Sequence, residues 1–322
     1  MRIAIPLTVL ATALVCSLTS APAHARARVF VASYGNDANS CTFGSPCKTF
    51  QHAHDVVDTG GEVTAIDSAG FGPITINKAV TITSPAGVEA GIVPVSGGDA
   101  IDINAGSTDA IVLRGLTLNG SGVGHNGIVF NSGGSITVTD CVAQNFLYAG
   151  TLTTGNGILM QPTSGAISFI ISNTIVSNNG NSGFQYMPQS GTATANGVVD
   201  RLVATNNAFG ILIYTAMGGG STEVAVSNDI ASSNSNDGIH LVNGPSPLSI
   251  SIDNTGVSSN VNHGIIASNT SNVILGRSVI TSNGFGVLDS TTGHTFYTYK
   301  DNRINLNGTD LSGALNTSFL TQ

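Results

Sequence analysis

The chain has 322 residues, of which only 9% are charged, with 18 acidic against 10 basic residues, 40 glycines and no tryptophan. An acid-leaning balance excludes a nucleic-acid binder, whose phosphate contacts need a basic surface. Plentiful Val, Ile and Leu exclude a disordered chain.

Residues 1–25 read as a secretory signal peptide: Arg2 is the basic end, residues 3–18 the apolar core, and Ala23-His24-Ala25 a small-x-small cleavage site. A membrane anchor is the competing reading; the run is short for a span and carries Pro6, and no later stretch is apolar enough to cross a bilayer. Cleavage near Ala25 predicts a secreted or periplasmic protein with 9 basic and 18 acidic residues, a formal charge of −9.

Residues 26–61 form an N-terminal cap. Residues 29–32 read as a first strand, and the turn-rich stretch 35–39 follows. A helix is expected over 47–57, with Phe50, Ala53, His54 and Val57 on one face at i, i+3, i+4, i+7. It is placed to cover apolar surface and unpaired strand edges at the open end of a solenoid. Cys41 and Cys47 lie six apart in a Gly/Ser/Pro-rich loop and are expected to be disulfide-bonded in an exported protein. Cys16 leaves with the signal, and Cys141 reads as a buried small hydrophobe.

Residues 62–310 are read as coils of one solenoid. The pattern is clearest at 176–184, 203–211, 231–239, 257–265 and 279–287. In the first four of these, Asn179, Asn206, Asn234 and Asn260 stand four places before Gly183, Gly210, Gly238 and Gly264. The fifth keeps Gly286 but puts Ser282 in the asparagine slot, and the glycines lie 27, 28, 26 and 22 residues apart. Short β runs at this period mark a solenoid, which can grow as one continuous core. The asparagines are expected to stack as an amide ladder, and the glycines to supply a positive φ or room at a turn. Leu116 and Val142 are matched to Val176, and Val80 less well, while residues 120–126 and 146–156 are inserted loops. The residues after the glycines (Ile128, Ile158, Phe184, Ile211, Ile239, Ile265, Val287) should stack inward. Two places past the glycines, Val129, Leu159, Gln185, Leu212, His240, Ile266 and Leu288 make an apolar outer face. Loops, another copy of the chain or a ligand could cover it. Residues 311–322 are a C-terminal cap or tail.

The loop Gly35-Asn36-Asp37, the cysteine pair and Ser45-Pro46-Cys47-Lys48-Thr49-Phe50 resemble the opening of secreted bacterial parallel β-helix proteins. The Asn-x-Gly-Ile coils are similar to repeats of the right-handed β-helix (pectin-lyase-like) superfamily. That resemblance implies an all-β, single-stranded right-handed parallel β-helix over residues 29–310, in a superfamily of lyases, hydrolases, epimerases and phage spikes. Polygalacturonase-like hydrolases carry Asn-Thr-Asp, Asp-Asp, Gly-His-Gly and Arg-Ile-Lys motifs, of which Asn262-His263-Gly264 approaches only the third. The calcium-binding acidic cluster of pectate lyases and the Asp-Pro-His-Glu motif of alginate epimerases are absent from this sequence.

Counting two places back from each stacked aliphatic gives Lys78, Arg114, Asp140, Thr174, Arg201, Asp229, Thr255 and Arg277. This register is either a surface ladder, with Arg201 facing Asp229 and Arg114 facing Asp140, or a track on which arginines grip an acidic polysaccharide. Asp237 and His263 both precede a register glycine and should stack one coil apart, as an acid–base pair or a plain turn contact. Asp237 and His240, three apart, should point to opposite faces of a strand. The catalytic candidates are Asp237, His263, Arg201 and Asp229, with His240 as a ligand contact. No metal or other cofactor is predicted, because no cluster has metal-ligand spacing. Two functions stay open: a polysaccharide-interacting protein, which as an enzyme would be lyase-like or glycoside hydrolase-like, and a non-catalytic structural or adhesion protein that could self-associate.

Overall fold

The computed structural model describes residues 26–244, 246–268, 271–290, 296–313 and 315. The expected signal peptide and most of the C-terminal tail lie outside the described residues. No helix among them is long and apolar enough to cross a membrane.

The chain winds into a parallel β-solenoid with three sheets of 11, 10 and 10 strands among the described residues. Each full coil passes through sheet I (such as Thr194–Asp200), sheet II (such as Val203–Thr205) and sheet III (such as Phe209–Tyr214). All pairings are parallel and join one coil to the next. Side chains alternate in and out along a strand, so each sheet sends one column per inward position into a shared core. In sheet III that column runs Ile101, Ile128, Ile158, Phe184, Ile211, Ile239, Ile265 and Val287, all buried as expected.

At the start, α1 (Phe50–Val56) covers the first coils, and Phe50 packs on Phe71 with ring centroids 5.0 Å apart. The helix begins later than residue 47. Asp37 explains the delay: its carboxylate accepts the Lys48 and Thr49 N–H groups at 2.7 and 3.0 Å, leaving Thr49 as N-cap. Cys41 and Cys47 are disulfide-bonded and buried. Cys141 is free and buried, and burial pushes its thiol up to about 11.

The asparagine ladder stands at the turn from sheet II to sheet III, with Asn179, Asn234 and Asn260 in it as expected, but with Asn207 and Asn283 in place of Asn206 and Ser282. Its members are Asn179, Asn207, Asn234, Asn260, Asn283 and Asn307. Each Oδ1 accepts a backbone N–H one coil earlier, that of Phe146 for Asn179 and of the preceding member for the rest, as Asn234 does from Asn207 at 3.0 Å. Each Nδ2 donates back to a sheet II carbonyl, as Asn234 does to Ala204 at 3.3 Å. Asn206 and Ser282 occupy the preceding position instead, with Asn178, Ser233, Ser259 and Leu306, where φ is 56 to 60°. The positive φ thus belongs to that residue and not to the glycines. What the glycines supply is room: a Cβ on Gly210 would lie 2.9 Å from Asn234 Nδ2 and 2.5 Å from the Gly238 oxygen.

The register in sheet II also differs. Its inward column is Leu118, Ala143, Val176, Ala204, Ala231, Val257 and Ile280, so Leu116, Val142, Val203 and Val279 are not equivalent to Val176. Val80 belongs to sheet I, pairing with Ile111. In sheet II, where Val142 adjoins Ala143 and Val203 adjoins Ala204, the smaller residue is the one that faces in.

Asn207→Ala should lower stability by about 1–3 kcal/mol, because it strands a buried N–H and a buried carbonyl. Asn206→Gly should stay within about 0.5 kcal/mol, since glycine tolerates positive φ. Denaturant midpoints of the two variants distinguish this ladder from one running through Asn206.

Candidate functional site on the outer face of sheet III

Two outward columns of sheet III carry most of the polar and aromatic chemistry. The residues just before the glycines run Asn126, Asn156, Ser182, Phe209, Asp237, His263 and Phe285. Those two places past them run Val129, Leu159, Gln185, Leu212, His240, Ile266 and Leu288.

The first half of this face is an amide network. Asn126 Nδ2 donates to Asp99 Oδ1 and to the Thr153 carbonyl, both at 2.9 Å. Asn156 and Asn181 donate to the Leu152 carbonyl at 3.1 and 2.9 Å. These bonds tie the inserted loop 146–155 to the sheet. Val129, Leu159, Gln185 and Leu212 are all buried within the single chain. Most of the apolar outer face is therefore already covered, without a second copy.

In the second half the face holds a His–Asp–His cluster. Asp237 Oδ1 accepts from His263 Nδ1 at 2.8 Å and from the His263 backbone N–H at 3.1 Å. Asp237 Oδ2 lies 2.8 Å from His240 Nδ1, an ion-pair contact without hydrogen-bond alignment. Asp237 and His240 therefore share a face, contrary to strand alternation. The reason is local: Asp237 sits in the turn, and the strand Ile239–Val242 begins after it. Burial opposes the Asp237 charge, but the two imidazoles outweigh burial and hold its carboxyl below the ordinary range. Phe209 packs against His240 at 5.6 Å, and Phe285 stacks on His263 at 5.3 Å, making a line of four rings across successive coils. Each histidine side chain is about one-fifth exposed, and Phe285 is 40% exposed. With both Nδ1 atoms turned to one carboxylate, each ring keeps Nε2 for a ligand. This set can stack against a flat ligand and transfer a proton to or from it.

The charged register does not form one strip. Lys78 lies at the corner between sheets III and I, with Nζ donating to the Val57 carbonyl at 2.6 Å. Arg114 ends a sheet I strand. Asp140, Arg201 and Arg277 occupy left-handed turn positions between sheets I and II, at φ 51 to 56°. Thr174, Asp229 and Thr255, one place further along, are buried. The counted residues therefore stand at four different places in the coil and not in one column. Arg114 does meet Asp140, at 3.3 Å, but Arg201 pairs with Asp200 at 2.6 Å and not with Asp229. Arg277 forks onto Asp253, with Nε to Oδ1 at 2.8 Å, and holds that carboxyl low. These arginines are 57–67% exposed on the side chain, and each already has a carboxylate partner.

Asp229 belongs to a buried hydroxyl column. Thr174 and Ser278 each accept an N–H from the coil before and donate to the carbonyl two places back, and Thr255 donates to the Asp253 carbonyl. Asp229 Oδ1 accepts the Leu202 N–H at 2.6 Å, while Oδ2 has no partner in the hydrogen-bond network. Burial drives its carboxyl up to about 8, so at neutral pH it is a neutral acid in a hydroxyl's place. It cannot act as a surface charge.

An open groove of about 620 Å³ lies elsewhere, on the outer face of sheet I over Ile170, Val198, Ala225 and Ile274. Glu223 is the sole titratable carboxylate lining it, so volume and acid–base chemistry do not coincide in this molecule.

No family model matches the chain, and no curated protein is detectably similar to it in sequence. Solved structures are similar in fold. The crystal structure of pectate lyase Pel9A is 17% identical with a TM-score of 0.50, over 90% of this chain and 77% of that one. The A-module of the Azotobacter vinelandii mannuronan C-5 epimerase AlgE4 is 17% identical with a TM-score of 0.51, over 76% and 71%. The likeness establishes a shared parallel β-helix.

Two outcomes follow from the buried carboxyls. Asp229 has a folded pKa near 8 against about 4 unfolded, so the folded state holds the extra proton and stability falls as pH rises from about 4 to 8. Asp229→Asn should flatten that slope, at most about 1.4 kcal/mol per pH unit, and raise the melting temperature at pH 8. Asp237 is the opposite case. Its folded pKa is depressed, so its contribution is present above about pH 4 and lost as pH falls below. Asp237→Asn should cost about 1–3 kcal/mol at pH 7, and the cost should shrink as pH falls below about 4, read by chemical denaturation across that range.

Proposed function

We propose that this chain is an exported β-helix protein that binds an extracellular or cell-wall polysaccharide along the outer face of sheet III. The observation that carries the proposal is the line Phe209, His240, His263 and Phe285 around Asp237. Rings present flat apolar faces to the C–H faces of sugars, while imidazole and amide groups meet the hydroxyls. Successive coils about 4.8 Å apart repeat such contacts along a polymer. The fold shared with a pectate lyase and a mannuronan C-5 epimerase supports a polysaccharide ligand. The Cys41–Cys47 disulfide supports an oxidising destination, secreted or periplasmic, after cleavage near Ala25.

If the protein turns its ligand over, Asp237 is the positioning group. It orients both imidazoles through Nδ1, and His240 or His263 exchanges a proton through Nε2. The alternative, a non-catalytic structural or adhesion role with self-association, is favoured by the apolar groove on sheet I, where Ile170 and Val198 are exposed.

Affinity electrophoresis of the mature chain through gels loaded with wall polysaccharides tests the binding face. Retardation is expected with at least one polymer, and Phe285→Ala should weaken it tenfold or more, about 1.4 kcal/mol. Retardation that survives Phe285→Ala but is lost with Ile170→Asp would move the ligand to sheet I and sink the sheet III assignment. For turnover, His263→Ala should abolish new chain ends while leaving most of the retardation.

A further inference from the structure

We infer that the polysaccharide accepted by the sheet III face is an uncharged one and not a polyuronate. This rests on the proposal that sheet III is the binding face, and it follows from where the molecule keeps its cations.

Nine of the ten lysines and arginines fall among the described residues. None is on a sheet III strand, and none is in the turns that lead from sheet II into sheet III. Lys78 is the single basic residue in the described turns leading out of sheet III. It sits at the first coil, tied through Nζ to the Val57 carbonyl. Arg114, Arg201 and Arg277 stand at the corner between sheets I and II, the edge of the prism opposite the sheet III face. Each is paired with a carboxylate there. Paired arginines on the far edge cannot grip the carboxylates of a polymer on sheet III, because charge interactions are screened within about 8 Å at physiological ionic strength.

The face itself carries acids and neutral amides. Asp99 and Asp102 lie on its N-terminal part, about 24 Å (five coil steps of about 4.8 Å) from the coil of Asp237. Burial first, and the neighbouring Asp102 charge as well, push the Asp99 carboxyl up. A uronate laid beside them would meet the same repulsion, opposed by the His125 imidazole but by no lysine or arginine of the face. An uncharged sugar meets none of it: its hydroxyls can donate to these carboxylates and exchange hydrogen bonds with the Asn131 and Gln161 amides, which already link coils at 2.9 Å. Its apolar faces have Phe209 and Phe285 to stack on.

The test uses isothermal titration of the mature chain with two sets of soluble polymers. Galactan, mannan and mixed-linkage glucan form the neutral set; polygalacturonate and alginate form the acidic set. At least one neutral polymer is expected to bind tenfold or more tightly than either polyuronate at 150 mM salt. Weak polyuronate binding should strengthen as salt is raised, and the pair Asp99→Asn with Asp102→Asn should narrow the gap. A polyuronate that binds as tightly as any neutral polymer, weakens with salt and is lost in Phe285→Ala would overturn the uncharged class while leaving sheet III as the binding face. Binding of either set that ignores Phe209→Ala and Phe285→Ala, or no binding by either set, would overturn the sheet III proposal itself and this inference with it.

Discussion

The turn between sheets II and III depends on one steric and hydrogen-bonding bargain. A buried side-chain amide in each coil must reach backbone groups of its neighbours, and it can do so only where the sheet III strand of the coil before carries no Cβ at that point. Asn234 illustrates the arrangement, meeting the Asn207 N–H, the Ala204 carbonyl and the Asn260 amide at once. Gly210 leaves the space that its Nδ2 occupies. An unpaired buried amide is costly, so the asparagine and the glycine are required together. A left-handed residue just before the asparagine turns the chain and costs least in Asn, Ser or Gly.

This constraint also places the candidate site. Fixing the turn fixes the start of every sheet III strand, and the residue before each glycine becomes an outward column at the strand's edge. Asp237 and His263 meet because they fill that column in adjacent coils. His240 joins them because the turn leaves Asp237 outside the strand and able to reach forward. In the earlier coils the same column holds Asn126 and Asn156, which bind loop carbonyls instead. One scaffold position therefore serves as a loop anchor in one half of the face and as acid–base chemistry in the other.

Much of the fold was legible in the residues. The period, the inward aliphatic column after the glycines, the covering helix and the buried Cys141 could all be read from spacing and composition. The errors share a cause. Val142 and Val203 are better hydrophobes than Ala143 and Ala204, yet the alanines face in. The inward position of sheet II takes alanine in some coils and Leu118, Val176 or Ile280 in others, so hydrophobicity alone does not mark it. A slip of one residue there exchanges inside for outside. It turned the buried Asp229 into an apparent partner of Arg201, and it helped make a continuous charged strip out of residues from four different places in the coil.

By itself the sequence determined that the chain is a repeating parallel β-structure, because a period of Asn, Gly and aliphatic residues can bury its apolar face only by stacking on itself. It also determined that charges are scarce and that Asp237 and His263 should be neighbours. Only the tertiary structure decided which asparagine belongs to the ladder, that Asp229 is a buried neutral acid, and that His240 shares Asp237 with His263. The reason is that turn conformation, and not residue type, sets the register between sheets, and a one-residue change in a left-handed turn redirects every side chain that follows.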